Sequence, residues 1–340
     1  MRYRTLGTTG VQVSTQCLGA MMFGAFGNPD HDESVAMIHR ALDAGINFID
    51  TADAYSKGES EEIVGQALKG RRHEVVLATK VFNAMGKDPN RRGGSRRWIF
   101  QAVEESLARL QTDYLDLYQV HRLDWRTDVD ETLGALSDLV HQGKVRYLGS
   151  SSYPAEWIVE AQRVAADRGR ERFVCEQPQY SIFARSTEQA VLPTCQRHHM
   201  GVIPWSPLAG GWLTGKYRKG AEAPEGSRLR QMWSRQPELG DLGADPRLDL
   251  VEQLVAVADQ AGLTMTQLGL GFVDRHPAIS STIIGPKTPA QLDDLLGAAD
   301  VELDDATMDA IDAIVPPGTD APGTEHYVEN PALEVTALRR

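Results

Sequence analysis

The chain has 340 residues, 41% of them hydrophobic and 24% charged, with a net charge of −12. That balance permits a large buried core and argues against general affinity for nucleic acid or an anionic membrane surface. The three cysteines, Cys17, Cys175 and Cys195, sit in or beside apolar segments without metal-ligand spacing, so they read as buried thiols rather than as a disulfide framework or a metal site.

From the N-terminus, Arg2 to Val13 alternates weakly around a Thr9-Gly10 turn, the pattern of a hairpin. No apolar signal segment follows Met1-Arg2-Tyr3-Arg4-Thr5, and no apolar run reaches the ~18 residues of a membrane span. A cytoplasmic location is the default expectation. Short β-branched runs then alternate with longer helical patterns. The strands predicted in order are Cys17–Met21, Ile46–Asp50, Val75–Lys80, Tyr114–His121, Val145–Gly149, Phe173–Gln177, Val202–Trp205 and Thr282–Gly285. Between them, Val35, Ile38, Ala41 and Leu42 share a helical face, as do Ile63, Val64, Ala67 and Leu68. Val103, Leu107 and Leu110, and then Leu133, Leu136, Leu139 and Val140, repeat the pattern. Ser95 and Thr187 stand where N-caps are expected.

Eight strand–helix units imply parallel strands with right-handed crossovers, closed into a (β/α)8 TIM barrel with the N-terminal β-hairpin at its floor. An open doubly wound sheet would carry G-x-G-x-x-G after an early strand, and none is present. Residues 1–315 are expected to form this single barrel. The stretch from Gly210 to Asp245, rich in Gly, Pro and charge, reads as a functional loop, and 316–340 as a poorly packed C-terminal tail.

Barrel strand ends build active sites. Here they carry Asp50, Lys80 and His121, with Tyr55 one short loop beyond Asp50. Singly, Asp50 could cap a turn, Lys80 could reach solvent, Tyr55 could anchor a loop and His121 could be a core histidine. Together they suit proton donation to a carbonyl oxygen. A free tyrosine, with a pKa of about 10, is a poor acid near neutrality, and a neighbouring ammonium lowers that pKa. Asp50 keeps the ammonium charged, and His121 orients the substrate oxygen or relays a proton. The hydride must come from a cofactor, since no side chain provides one.

The run Gly45-Ile46-Asn47-Phe48-Ile49-Asp50-Thr51-Ala52-Asp53-Ala54-Tyr55 resembles the signature of the aldo-keto reductase family. Gly58-Glu59-Ser60-Glu61, Ala78-Thr79-Lys80, Gln119-Val120-His121 and Gly143-Lys144-Val145-Arg146-Tyr147-Leu148-Gly149 continue the likeness at family-like spacing over roughly residues 2–315. Trp205 through Tyr217 points to the branch of aryl-alcohol dehydrogenase-like reductases and potassium-channel β-subunit-like proteins. The resemblance implies an NADPH-dependent enzyme, with NADH as the alternative donor, that reduces a small-molecule carbonyl substrate. Tyr55 would be the general acid, Lys80 its partner, Asp50 the anchor of Lys80, and His121 the group that orients the carbonyl. It further implies a nicotinamide carboxamide held by Ser151, Ser152 and Gln177, with Trp205 against the ring and Gly19, Ala20 and Met21 at its edge. The pyrophosphate would meet Ser206, Pro207, Leu208, Gly210 and Lys216, and the adenosine end Gly285, Lys287, Thr288, Gln291 and Asp294. Lys287 offers a charge for a 2′-phosphate. Phe23, Phe82 and Trp98 are candidate substrate walls beside Tyr55 and His121. Two rival readings remain: a regulatory subunit that uses the cofactor as a redox sensor, and a cofactor-free barrel enzyme such as an aldolase.

Overall fold

The computed structural model describes residues 1–225, 227, 229–230 and 242–324. Strands β1 (Tyr3–Thr5) and β2 (Gln12–Ser14) form an antiparallel hairpin. The chain then alternates β3 (Gln16–Gly19), α1 (His31–Asp43), β4 (Phe48–Asp50), α2 (Glu59–Ala67), β5 (Val76–Val81), α3 (Arg96–Leu110), β6 (Leu115–Val120) and α4 (Val129–His141). It continues with β7 (Val145–Ser151), α5 (Ala155–Arg168), β8 (Phe173–Gln177), α6 (Val191–Arg197) and β9 (Gly201–Val202). After a long connection come α7 (Arg247–Ala261), α8 (Met265–Arg275), β10 (Thr282–Ile284), α9 (Pro289–Leu296) and α10 (Asp305–Ile314).

Strands β3 to β10 form one parallel sheet in the order β10-β3-β4-β5-β6-β7-β8-β9. A parallel bridge between Val202 and Ile279, and the bond from Ile283 N–H to Pro204 C=O (3.0 Å), close the ring between β9 and β10. The eight predicted strands are all present, and the fold is the (β/α)8 barrel.

Alternation along the strands separates two cores. Cys17, Phe48, Ala78, Leu117, Cys175, Ile203 and Ile283 point inward and fill the barrel, joined by Leu6 and Val13 from the hairpin. The hairpin therefore plugs the floor, and Arg4 fastens it by donating to Ile279 C=O and Asp274 C=O. The opposite face of each strand packs against the amphipathic helices. The three thiols are buried and unpaired.

Helix starts follow local chemistry. Ser95 accepts from Trp98 N–H, Asp30 from Glu33 N–H and Asp304 from Thr307 N–H, while Thr264 and Gln267 make a capping box. Thr187 does not cap a helix. It lies inside a 3₁₀ turn, Ser186–Glu188, whose glutamate instead binds Arg185 and Tyr180.

The segment 316–324 packs rather than trailing. Ala321 is buried and donates its N–H to Phe183 C=O, and the Asp320 carboxylate accepts from the N–H groups of Arg185 and Ser186. Backbone-directed hydrogen bonds hold it, which is why apolar periodicity gave no sign of order. The remainder of the expected tail, 325–340, and residues 226, 228 and 231–241 of the expected loop lie outside the described residues.

Candidate active site

The inward row that is apolar at the barrel floor turns polar two residues further along four of the strands. Phe48 is followed by Asp50, Ala78 by Lys80, Leu117 by Gln119 and then His121, and Cys175 by Gln177. A period of two on a parallel barrel stacks these groups above the core at the C-terminal mouth.

Lys80 is fully buried. Its three N–H donors meet three acceptors: Asp50 Oδ1 at 2.5 Å, Thr51 C=O at 2.8 Å and Tyr55 Oη at 3.2 Å. No donor remains for a substrate, so Lys80 acts only through its neighbours. The other oxygen of Asp50 accepts from the amide nitrogens of Gln119 and Gln177, each at 2.9 Å. Burial pulls the Lys80 pKa down, but the Asp50 charge and the bonds to Asp50 and Tyr55 outweigh it, and the value ends above its usual one.

Tyr55 hangs from a loop pinned at both ends. Asp53 N–H donates to Lys80 C=O, Tyr55 N–H to Ala52 C=O, and Ser56 Oγ to Phe23 C=O. Burial raises the phenol pKa above 10, while the charges of Lys80 and Arg122 and the Lys80 hydrogen bond pull the other way. The motif alone predicts that the lysine wins. In the structure burial wins, and the phenol holds its proton at neutral pH. Because the ammonium donates to Oη, the phenol hydrogen is left to point toward the cavity.

His121 is edge-on to Tyr55, with ring centroids 5.7 Å apart. Burial, with the positive charges of Lys80 and Arg122, drives its pKa well below 6.5, so it is neutral. The amide nitrogen of Asn83 faces Nδ1 at 3.0 Å. An amide NH2 can only donate, so Nδ1 accepts and the ring proton sits on Nε2. The imidazole is thereby set as a donor.

These groups open onto a cavity of about 490 Å³. Among the expected cofactor contacts, Gly19, Met21, Asp50, Gln177, Trp205, Ser206, Pro207, Leu208, Gly210, Lys216, Gly285, Lys287 and Gln291 line it, together with Tyr55 and His121. Others stand behind the wall. Ala20 is buried, and Ser151 spends its hydroxyl on Gln177 C=O at 3.0 Å. Ser152 accepts from Trp205 Nε1 and Arg122 Nη1, each at 3.3 Å, which leaves its hydroxyl hydrogen to donate. Its φ of 55° is left-handed. Thr288 caps α9, and Asp294 accepts from Thr266 Oγ1. Phe23 and Trp98 belong to the core, and Phe82 stands outside the cavity wall, so none of the three aromatic substrate walls is found there. An aromatic on a loop or at a helix start faces core or pocket according to backbone direction, which composition does not reveal.

Residues with no role in the motif also stand at the site. Gln119, buried behind the cavity, holds Asp50. Arg122 follows His121 directly, and Trp212, Arg247, Phe183 and Thr324 come from distant segments. Only adjacency to His121 could have pointed to Arg122.

The cavity fits a polyanionic dinucleotide. In a chain of net charge −12, its lining carries Arg122, Lys216 and Lys287, with Arg247 already paired to Asp245, and its one carboxylate among the described residues, Asp50, is neutralised by Lys80. The wall after β9 is a chain of left-handed turns at Ser206, Ala209, Gly210 and Gly211, in which Ala209 N–H donates to Ser206 C=O and Gly211 N–H to Leu208 C=O. A Cβ on Gly210 would meet nothing within 4 Å, so its φ of 67°, not crowding, is what calls for glycine. Gly19 differs: a Cβ there would come within 2.7 Å of the Ile283 side chain, so close packing of β3 on β10 requires glycine.

Comparison with known proteins gives a match to the Aldo/keto reductase family over residues 16–316. The chain is 37% identical over 306 residues to a "Probable voltage-gated potassium channel subunit beta" of Arabidopsis thaliana, covering 88% of this chain and 92% of that protein. It is 39% identical over 337 residues to "Uncharacterized oxidoreductase YrpG" of Bacillus subtilis, covering 95% and 98%.

Proposed function

The chain belongs to the Aldo/keto reductase family, and from that premise we propose that it is an NADPH-dependent reductase of aldehydes or ketones with Tyr55 as its general acid. The observation that carries this reading is the line Asp50–Lys80–Tyr55 beside a neutral, donor-set His121.

When bound, the cofactor supplies a hydride to the carbonyl carbon. The residues do the rest. His121 Nε2–H holds the carbonyl oxygen and, with the Tyr55 hydroxyl, favours the charge that gathers on it. Tyr55 releases its proton to that oxygen. Lys80, already donating to Oη, stabilises the tyrosinate left behind. Gln119 and Gln177 hold Asp50, so the ammonium does not drift. The Gln177 side-chain oxygen would hold a carboxamide, with Ser152 behind it in support, Lys216 and the loop from Ser206 to Gly210 a pyrophosphate, and Gly285, Lys287 and Gln291 an adenosine end. Lys287 is the reason to prefer NADPH over NADH.

We expect aldehyde-dependent consumption of NADPH, and Tyr55→Phe to lose about a thousandfold in kcat while still quenching NADPH fluorescence on binding. Full turnover by that variant would remove the role given to Tyr55. The names of relatives raise a second reading, a cofactor-binding regulatory subunit acting as a redox sensor. NADPH binding without substrate-dependent consumption across an aldehyde panel would favour it.

A further inference from the structure

Several partly buried arginines in this protein pair with carboxylates, while Arg4 at the hairpin donates to backbone carbonyls. Arg72 pairs with Asp116 at 2.8 Å, Arg109 with Glu61 at 2.7 Å and Arg185 with Asp312 at 2.7 Å. Arg122 is partly buried too, and among the described residues no carboxylate pairs with it. Its Nη1 donates to His121 C=O at 2.7 Å, Ser152 Oγ at 3.3 Å and, more weakly, Ser151 Oγ at 3.5 Å. All three acceptors are neutral, and the buried Glu176 carboxylate acts on Arg122 only through space, its oxygens accepting from Ser150 Oγ and Tyr153 N–H. The guanidinium carbon lies 5.7 Å from the centre of the Trp205 ring. The other cavity cations, Lys216, Arg247 and Lys287, all lie on segments beyond β9. Arg122 stands apart from them at the end of β6, one residue from His121.

A guanidinium stays charged even when desolvated, and leaving it without a directly paired carboxylate costs stability. Only Nη1 is engaged among the described residues, which leaves Nη2 and Nε as a fork. A fork at that position matches a carboxylate in bidentate geometry better than it matches a single neutral oxygen. We infer that the natural substrate carries a carboxylate near its reducible carbonyl, and that Arg122 grips it while His121 and Tyr55 hold the carbonyl oxygen. The carboxylate takes no part in the reaction. It fixes which carbonyl compounds are presented to Tyr55, so Arg122 determines specificity. This deepens the reductase reading above and rests on it.

The test is a spacing series read with the intact protein and NADPH. Glyoxylate, succinic semialdehyde and 4-formylbenzoate are each compared with their methyl esters in kcat/KM. At the best spacing the acid should exceed its ester by about tenfold or more, the size expected for a charge-assisted contact. Arg122→Gln should bring that ratio close to one, and Arg122→Lys, which keeps the charge but not the fork, should keep part of it. If every ester matches its acid in the parent protein, the inference fails and the reductase reading stands. If Arg122→Gln lowers acid and ester by the same factor, Arg122 only positions Ser152 and the cofactor, and the inference fails again. If no aldehyde is consumed, both fall together.

Discussion

At one end of the cavity the polar groups hang from strands. Asp50, Lys80, Gln119 and Gln177 are inward positions on β4, β5, β6 and β8, all buried, with every proton of the Lys80 ammonium assigned to an acceptor. At the other end the groups hang from turns. Ser206, Ala209, Gly210 and Gly211 trace a left-handed path after β9, and Lys287 and Gln291 flank the start of α9. The first end is fixed by sheet register, which holds geometry to fractions of an ångström and suits bond-making. The second sets cationic side chains on turns, and the dinucleotide proposed for it needs complementarity more than precision.

The hardest blow to the strand-built end is Lys80→Met. Asp50 would keep two amide donors but lose its counter-charge, at a cost of about 3–5 kcal/mol for a buried carboxylate left uncompensated. Turnover should fall about a thousandfold. Adding Asp50→Asn to Lys80→Met should return most of the stability, read by urea unfolding, and none of the turnover. Recovery of both would mean that the pair holds the barrel together and does nothing for Tyr55.

Asn83 sharpens the same end more gently. Asn83→Leu removes the donor that fixes the His121 tautomer and should cost about tenfold in kcat. Asn83→Asp should do more to the pH profile. A carboxylate at Nδ1 favours the imidazolium, so the depressed pKa of His121 rises and a new acid limb enters the kcat profile. Identical profiles for parent and Asn83→Asp would detach Asn83 from His121. At the turn-built end, Lys287→Met should raise the KM for NADPH about fivefold to tenfold and leave the KM for NADH unmoved. An equal rise for both would put the lysine on the pyrophosphate.

The contrast between the ends also explains what the sequence made legible. All eight strands could be read because β-branched runs alternate with helical spacing, and Asp50, Tyr55, Lys80 and His121 because short motifs keep them at strand ends. Gln119 and Asn83 could not be assigned, since their work depends on which groups lie across the barrel, a matter of strand tilt and register. Arg122 escaped because a charge beside a motif looks the same whether it faces solvent or a cavity. Phe23 and Trp98 were misplaced for the converse reason, that an aromatic on a loop or in the first turn of a helix carries no sign of its direction. The direction of the Tyr55 shift was misjudged because burial has no signature in a short motif.

Asp53 makes the smallest and most specific test, and it concerns the strand-built end. It lies three residues beyond Asp50, is 1% exposed, and neither carboxylate oxygen has a well-aligned hydrogen-bond partner. Burial, reinforced by the Glu61 charge and opposed by the Ala54 N–H, Arg109 and Lys80, raises its pKa from 3.8 to about 8. In the folded protein it is therefore a neutral acid over most of the range in which the unfolded chain would ionise it. Folding takes up a proton between about pH 4 and pH 8, so stability contributed by this group is full below that window and lost as pH rises through it. An amide in its place would carry no such proton. Asp53→Asn should match the parent in Tm near pH 4.5 and exceed it by a few degrees at pH 8.5. A Tm difference that does not change with pH would mean that Asp53 is ionised in place, with a partner the buried loop conceals, and that the loop bearing Tyr55 rests on a charge rather than on a neutral acid.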